Sequence, residues 1–150
     1  MNSIIISRAS ASDSEEWLVF RKRLWPDCSP QQHLSDVART AERHEQEAVF
    51  LARDSRCQAI GFLEVALRDF ANGCDSSPVA FVEGVYVLPE FRQSGVAARL
   101  FEVAEEWARQ HGCSELGSDT EIDNGVSQEV HRRLGFEETM RVVYFRKKLT

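Results

Sequence analysis

Apolar residues along the chain follow two different periods. From Val79 to Leu88 they run almost unbroken (Val79, Ala80, Phe81 and Val82, then Val85, Tyr86, Val87 and Leu88), the pattern of a strand covered on both faces. Glu83 and Gly84 interrupt it. A carboxylate inside an apolar strand is costly unless something pairs with it. A glycine there marks a bulge or a place where another molecule approaches the backbone. Pro89 stops the strand, and from Val96 the period changes to that of a helix. Val96, Leu100, Val103, Ala104 and Trp107 fall on one face of that helix, and Arg99, Glu102, Glu106 and Arg109 lie opposite. His111-Gly112 closes it.

The other elements read from the same two periods and their punctuation. Ser3–Arg8 is a first strand. Ser12 and Glu15 have capping-box spacing for a helix that runs to Trp25, where Pro26 ends it. Ser29-Pro30 opens a second helix to about Arg43, with serine as cap and proline in the first turn. Ala48–Arg53 and Ala59–Leu67 form a hairpin turning at Asp54-Ser55-Arg56, and Phe70–Pro78 is a surface loop. Ser114–Asp119 is a fifth strand, Asn124–Leu134 a helix stopped by Gly135, and Glu137–Leu149 one or two closing strands. The order is β-α-α-β-β-β-α-β-α-β.

Composition narrows the functional classes. At 150 residues with 43% hydrophobic and 28% charged positions, the chain is that of a single domain with a real core, spanning 1–150. No apolar run reaches membrane-spanning length, and the N-terminal residues lack a secretion pattern. Cys28, Cys57, Cys74 and Cys113 show no paired or metal-ligand spacing, so reduced thiols, a cytoplasmic setting and no metal are expected. A net charge of −6 argues against nucleic acid and suits a cationic partner.

The segment between the central strand and its helix carries the chemistry. A bulged strand, a short loop containing Arg92 and Gly95, and a helix N-terminus make a site for an anionic phosphate. Arg92-x-x-Gly95-x-Ala97 after such a strand resembles the acyl-CoA motif of the GCN5-related N-acetyltransferases. The stretch from Asn124 to Phe136, ending Leu-Gly-Phe, resembles that family's next helix. The resemblance implies an α/β (α+β) fold with a mixed, mostly antiparallel sheet splayed between strands four and five and about four flanking helices. It also implies acetyl-CoA as co-substrate. Backbone groups of Gln93, Ser94, Gly95, Val96 and Ala97 would then take the pyrophosphate with help from Arg92. The irregular strand at Val85, Tyr86 and Val87 would offer amides to the pantetheine arm and the thioester oxygen, and Asn124 would contact the arm. His131 occupies or neighbours the position where many members carry a tyrosine that protonates the thiolate. Without the resemblance, a histidine on a helix reads as a packing or solvent residue.

An amine acceptor arrives as an ammonium and must lose a proton before it attacks. Glu83, next to the bulge, is the first candidate base and Asp119, at the exit of the neighbouring strand, the second; Asp119 reads equally well as a turn or capping residue. For the acceptor itself, a closer resemblance covers nearly the whole chain. Leu24-Trp25-Pro26, the Asn72–Pro78 loop, Val82-Glu83-Gly84, Phe91-Arg92-Gln93, Ser118-Asp119-Thr120 and Gly135–Thr139 look like the aminoglycoside 6′-N-acetyltransferases of enteric and Acinetobacter-like bacteria. It implies a drug pocket lined by Trp25, Glu83 and Asp119, a homodimer, and antibiotic resistance as the outcome. Phe70 stands at a pocket position where the family carries Tyr, and Met140 where some members carry an acid. Exposed apolar strand near Val142–Phe145 is the candidate dimer interface. Two other classes stay open, an N-acetyltransferase for a different amine (a polyamine or a protein terminus) and a non-catalytic acyl-CoA sensor. From its residues alone, Trp25 reads as an aromatic at a helix junction.

Overall fold

The structure is a computed structural model and describes residues 3–150. Five strands form one sheet in the order β1-β2-β3-β4-β5: β1 Ile5–Arg8, β2 Glu47–Arg53, β3 Ala59–Arg68, β4 Val79–Val87 and β5 Leu116–Ser118. The first four are antiparallel neighbours, and β5 joins β4 in parallel. Among the described residues four α-helices accompany them, α1 Ser14–Leu24, α2 Pro30–Glu42, α3 Val96–Gln110 and α4 Gly125–Arg133.

Strand periodicity assigns the two faces of the sheet. On β3, Phe62 stacks on Phe20 of α1 at 5.5 Å between ring centroids. Its neighbour Gly61 faces the other way, where a Cβ would lie 3.4 Å from Val96 of α3. Helix α3 buries Val96, Leu100, Phe101, Ala104, Trp107 and Ala108, the predicted face with Phe101 and Ala108 added and Val103 only half-buried. Helix α2 begins as expected, with the Ser29 hydroxyl accepting from the Gln32 amide (3.1 Å) and Pro30 in the first turn.

Two expectations are corrected. The cap before α1 is not Ser12 with Glu15: the Ser10 amide donates to Asp13 Oδ2 (2.8 Å) around a short 3-10 turn, and Ser12 bonds only the Ser10 hydroxyl. Two Ser-to-acid pairs stand in neighbouring registers, and the upstream one meets the chain as it leaves β1. The closing strands expected over Glu137–Leu149 do not form, and residues 137–150 carry no helix or strand and are exposed throughout. Val142, Val143, Tyr144 and Phe145 have strand propensity, but a strand requires a partner. Among the described residues no strand of this chain pairs with that segment.

Candidate active site

The bulge predicted at Glu83–Gly84 is present. Glu64 of β3 pairs with Gly84 and Val65 pairs with Val82, so Glu83 has no cross-strand partner. Freed from the ladder, its side chain turns outward and both carboxylate oxygens meet Arg68, at 3.0 Å to Nε and 2.7 Å to an Nη. The pair is about one-third exposed, at 39% for Arg68 and 35% for Glu83. The partner that a carboxylate in this strand demanded is therefore Arg68, which also lies over the Phe81 ring at 3.8 Å.

The sheet opens at the same point. Pairing of β4 with β5 covers only Ala80–Val82 against Leu116–Ser118, whereas β4 continues to Val87. Beyond Val82 one edge of β4 still pairs with β3 and the other faces no strand. Val85, Tyr86 and Val87 lie on that open edge. Past it, the Arg92 Nε donates to the Val87 carbonyl (2.8 Å) and the guanidinium carbon sits 5.2 Å from the Tyr86 ring centre, fixing the loop to the end of β4. Gln93 and Gly95 adopt left-handed backbone, at φ of 62° and 87°. A Cβ on Gly95 would meet nothing within 4 Å, so its backbone conformation, not space, is what favours glycine there. The first bond of α3 runs from Arg99 N to Gly95 O (3.1 Å), which leaves the amides of Val96, Ala97 and Ala98 without intrahelical partners. Together with Gln93 and Ser94, which are exposed, they form an amide cradle at the positive end of the helix, a fit for a pyrophosphate.

On the α1–α2 side of the bulge lies a cavity of about 310 Å³, lined by Trp25, Glu83, Glu64, Glu47, Arg21, Arg39 and Thr40 among others. Trp25 follows directly on α1 and packs against the backbone of Gly84, where a Cβ would come within 2.5 Å of its Cζ2. Gly84 thus lets the indole lie against the strand. A buried polar network holds Trp25 from the other side. Arg21 donates to both oxygens of Glu64 (2.7 Å to Oε2) and to Asp36 (2.8 Å), and its Nε donates to His33 Nδ1 (3.2 Å). With that nitrogen accepting, His33 Nε2 carries the hydrogen and donates to the Trp25 carbonyl at 3.1 Å. The guanidinium also lies 4.7 Å from the Trp25 ring centre, and the Trp17 indole donates to Glu64 (2.7 Å).

The cavity unites Trp25 with Glu83 but does not include Asp119 or Phe70. Asp119 is exposed one residue past the end of β5, and Phe70 is 70% exposed on the loop after β3. That loop is tied down by Glu115, whose carboxylate accepts from the Ser76 hydroxyl and from the amides of Ser76 (2.7 Å) and Asp75 (2.9 Å). These bonds, the Ser76 hydroxyl first, hold the Glu115 carboxyl below its usual range. Asn124 caps α4, its Oδ1 accepting from the Ser127 amide (3.1 Å), and its side-chain N–H groups remain available. Among the described residues no group of three or more His, Cys, Asp or Glu could hold a metal ion.

Sequence reasoning passed over Glu64, Arg21 and Glu47. Glu64 carried a signal, being a carboxylate inside the apolar run Ala59–Leu67, the same anomaly that singled out Glu83.

A mixed sheet that parts between its fourth and fifth strands, with an amide cradle at the exit of the fourth, is the frame of an acyltransferase working on a nucleotide-linked acyl donor. The chain belongs to the Acetyltransferase (GNAT) family, whose profile matches residues 13–136. It is 48% identical over 136 residues to the aminoglycoside N(6')-acetyltransferase type 1 of Serratia marcescens, covering 90% of this chain and 92% of that one. Identity to the enzyme of the same name from Acinetobacter haemolyticus is 45% over 145 residues, or 96% and 98% of the two chains. Among solved structures, AAC(6')-Iy in complex with the bisubstrate analogue CoA-S-monomethyl-acetylneamine superposes with a TM-score of 0.93 at 42% identity, covering 98% of this chain and 99% of that one.

Proposed function

We propose that this protein transfers the acetyl group of acetyl-CoA to the 6′-amine of aminoglycoside antibiotics of the kanamycin and tobramycin class, conferring resistance. The observation that carries the reading is the β4 bulge. It sets Glu83 at the boundary between the Trp25 cavity and the open edge of β4 that leads to the amide cradle. An acceptor in the cavity and a donor along the edge meet at Glu83, so the amine attacks directly while both substrates are bound. Relatives that cover nine-tenths or more of this chain bear this activity in their names, and one is in complex with the bisubstrate analogue CoA-S-monomethyl-acetylneamine.

Acetyl-CoA supplies the acyl group and a thiolate leaving group. The amides of Gln93, Ser94, Gly95, Val96 and Ala97, with Arg92 beside them, bind its pyrophosphate. The free edge at Val85–Val87 and the Asn124 side chain hold the pantetheine arm, with an edge amide polarising the thioester oxygen. Glu83 takes the ammonium proton, directly or through one water, and Trp25 supplies a flat face for a sugar ring. Phe70 and Asp119 extend the drug site beyond the cavity. The acidic balance of the chain, −6, attracts a polycation. Acetylation removes one positive charge and adds bulk to the drug. Isolating the product of kanamycin and locating the acetyl group by NMR tests the reading; an acetyl group on any nitrogen other than N6′ contradicts it.

Gly84→Ala is expected to raise the aminoglycoside KM about tenfold and leave the acetyl-CoA KM unchanged, because the new methyl pushes Trp25 off the strand. Steady-state kinetics in both substrates reads it, and an unchanged drug KM would remove Trp25 from the site.

The 150 residues act as one domain, in the cytoplasm, where acetyl-CoA is made and thiols stay reduced; among the described residues no helix is long and apolar enough to cross a membrane. The protein functions as a homodimer. Val143, Tyr144, Phe145 and Leu149 are each more than three-quarters exposed, more apolar surface than one short segment carries without a partner. Among the described residues the outer edge of β5 is unpaired, and the groove beside it, about 380 Å³, is lined by Leu116, Gly117, Ser118 and Phe136 among others. The closing segment of a second copy, extended and rich in strand-forming residues, fits such an edge. Light scattering is expected to give twice the chain mass for the native protein and a single chain mass for Tyr144→Asp/Phe145→Asp. A monomeric native protein would refute the dimer.

A further inference from the structure

His131 is held at both ring nitrogens. Nδ1 lies 2.7 Å from the Ser127 carbonyl and Nε2 lies 2.7 Å from the Ser118 hydroxyl. A carbonyl only accepts, so Nδ1 carries a hydrogen in every protonation state. The exchangeable position is then Nε2. In the neutral ring it accepts from the Ser118 hydroxyl, and in the imidazolium it donates to the Ser118 oxygen. Phe101 and Phe136 meet the imidazole edge-on, at 5.9 and 5.2 Å between centroids, and fix its plane.

The place of this pair in the fold gives it a use. Ser118 is the last residue of β5 and pairs with Val82, the last contact before the two strands part. The next residue on β4 is Glu83. A group transferred from sulfur to nitrogen keeps both atoms on one carbon during the reaction, so the proton acceptor for nitrogen and a proton donor for sulfur must stand within a few ångströms of each other. Glu83 and Ser118 flank the opening of the sheet from its two sides.

We propose that Ser118 delivers the proton to the departing thiolate and that His131 resupplies it. The inference rests on the acetyl-transfer reading above. As the C–N bond forms and the C–S bond breaks, the C–S electron pair leaves on sulfur. Sulfur takes the Ser118 hydroxyl proton, and Ser118 takes the Nε2 proton of the His131 imidazolium. The ring ends neutral, with Nδ1–H still on Ser127. The amine gives up two protons, one as the ammonium before attack and one from the nitrogen as the C–N bond forms; each passes to Glu83 and then to solvent, and solvent recharges Nε2. Ser118 is the catalytic residue in this scheme and His131 its positioning partner. Nothing in the local sequence announces the pair, because its members stand 13 residues apart on a strand and a helix.

Two readouts test the pair. In the free protein, two-bond ¹H–¹⁵N spectra are expected to show His131 with hydrogen on Nδ1 and an Nε2 resonance that moves in Ser118→Ala. In turnover, Ser118→Ala and His131→Gln are each expected to lower kcat about 10²-fold at unchanged acetyl-CoA KM, with the double variant no worse than either alone. Both variants should lose the alkaline fall of the kcat–pH profile that a required acid produces, and Ser118→Thr, which keeps the hydroxyl, should retain activity. Hydrogen on Nε2 alone overturns the proposal. So does a kcat within about twofold of native, an effect confined to the acetyl-CoA KM, or an unaltered pH profile. Failure of the native protein to acetylate any aminoglycoside counts against the parent reaction, whereas a variant-to-native ratio near unity counts against the pair alone.

Discussion

Replacing Arg21 with alanine is expected to destabilise the protein by about 3–5 kcal/mol, the cost of removing one partner from a buried ion pair. Arg21 is 6% exposed and holds two carboxylates, Glu64 at 7% residue exposure and Asp36 at 13% for its side chain, while its Nε reaches His33. Without the guanidinium, Glu64 keeps only the Trp17 indole among these bonds, and Asp36 keeps its contacts from Gln32 and Arg39. At this chain length the loss corresponds to a fall in Tm on the order of 10 °C, measurable by thermal or urea unfolding. Trp25 also loses the cation against its face, so whatever folds should bind aminoglycoside weakly. The variant that separates charge from shape is Arg21→Met with Glu64→Leu, which removes the Arg21–Glu64 charges, leaves Asp36 to Gln32 and Arg39, and is expected to recover part of the stability. A loss under about 1 kcal/mol for Arg21→Ala would mean that solvent reaches the network and that the floor of the cavity is not built as described.

The second large effect falls on rate. Glu83→Gln is expected to lower kcat by about 10²–10³-fold while leaving the acetyl-CoA KM and the Tm nearly unchanged. The amide keeps the size of the side chain but no longer takes a proton at neutral pH. Stability is spared because the Glu83–Arg68 pair is about one-third exposed, in the range where ion pairs contribute little. Asp119→Asn serves as comparison. Asp119 is exposed and outside the cavity, so its substitution should raise the drug KM more than it lowers kcat. The reverse pattern, with the rate lost at Asp119 and kept at Glu83, would transfer the base to β5.

Much of this frame was readable before any coordinates, and the reasons are local. The Ser29-Pro30 cap, the turn at Asp54 and the helical face of Val96, Leu100, Ala104 and Trp107 each depend on neighbours within a few residues. The bulge was legible because Glu83 and Gly84 break an apolar run that otherwise has no reason to break. What sequence did not show depends on distant partners. Glu64 was as anomalous in its strand as Glu83, yet the cation that answers it lies 43 residues upstream on α1. Trp25 reads as a junction aromatic until Gly84 and Arg21 are seen on either side of it. The segment 137–149 has strand-forming residues and lacks a neighbour among the described residues of its own chain, which periodicity cannot report.

The measurement that bears most directly on the account is thiol release from acetyl-CoA. It would be followed with kanamycin or tobramycin, with an analogue carrying a hydroxyl at the 6′ position, and with spermidine. The account predicts turnover with the 6′-amino drugs and none with the other two, since on the proposed reading only those drugs bring both a sugar ring to Trp25 and an amine to Glu83. Turnover with spermidine alone would leave an acetyltransferase standing and contradict the aminoglycoside as its substrate.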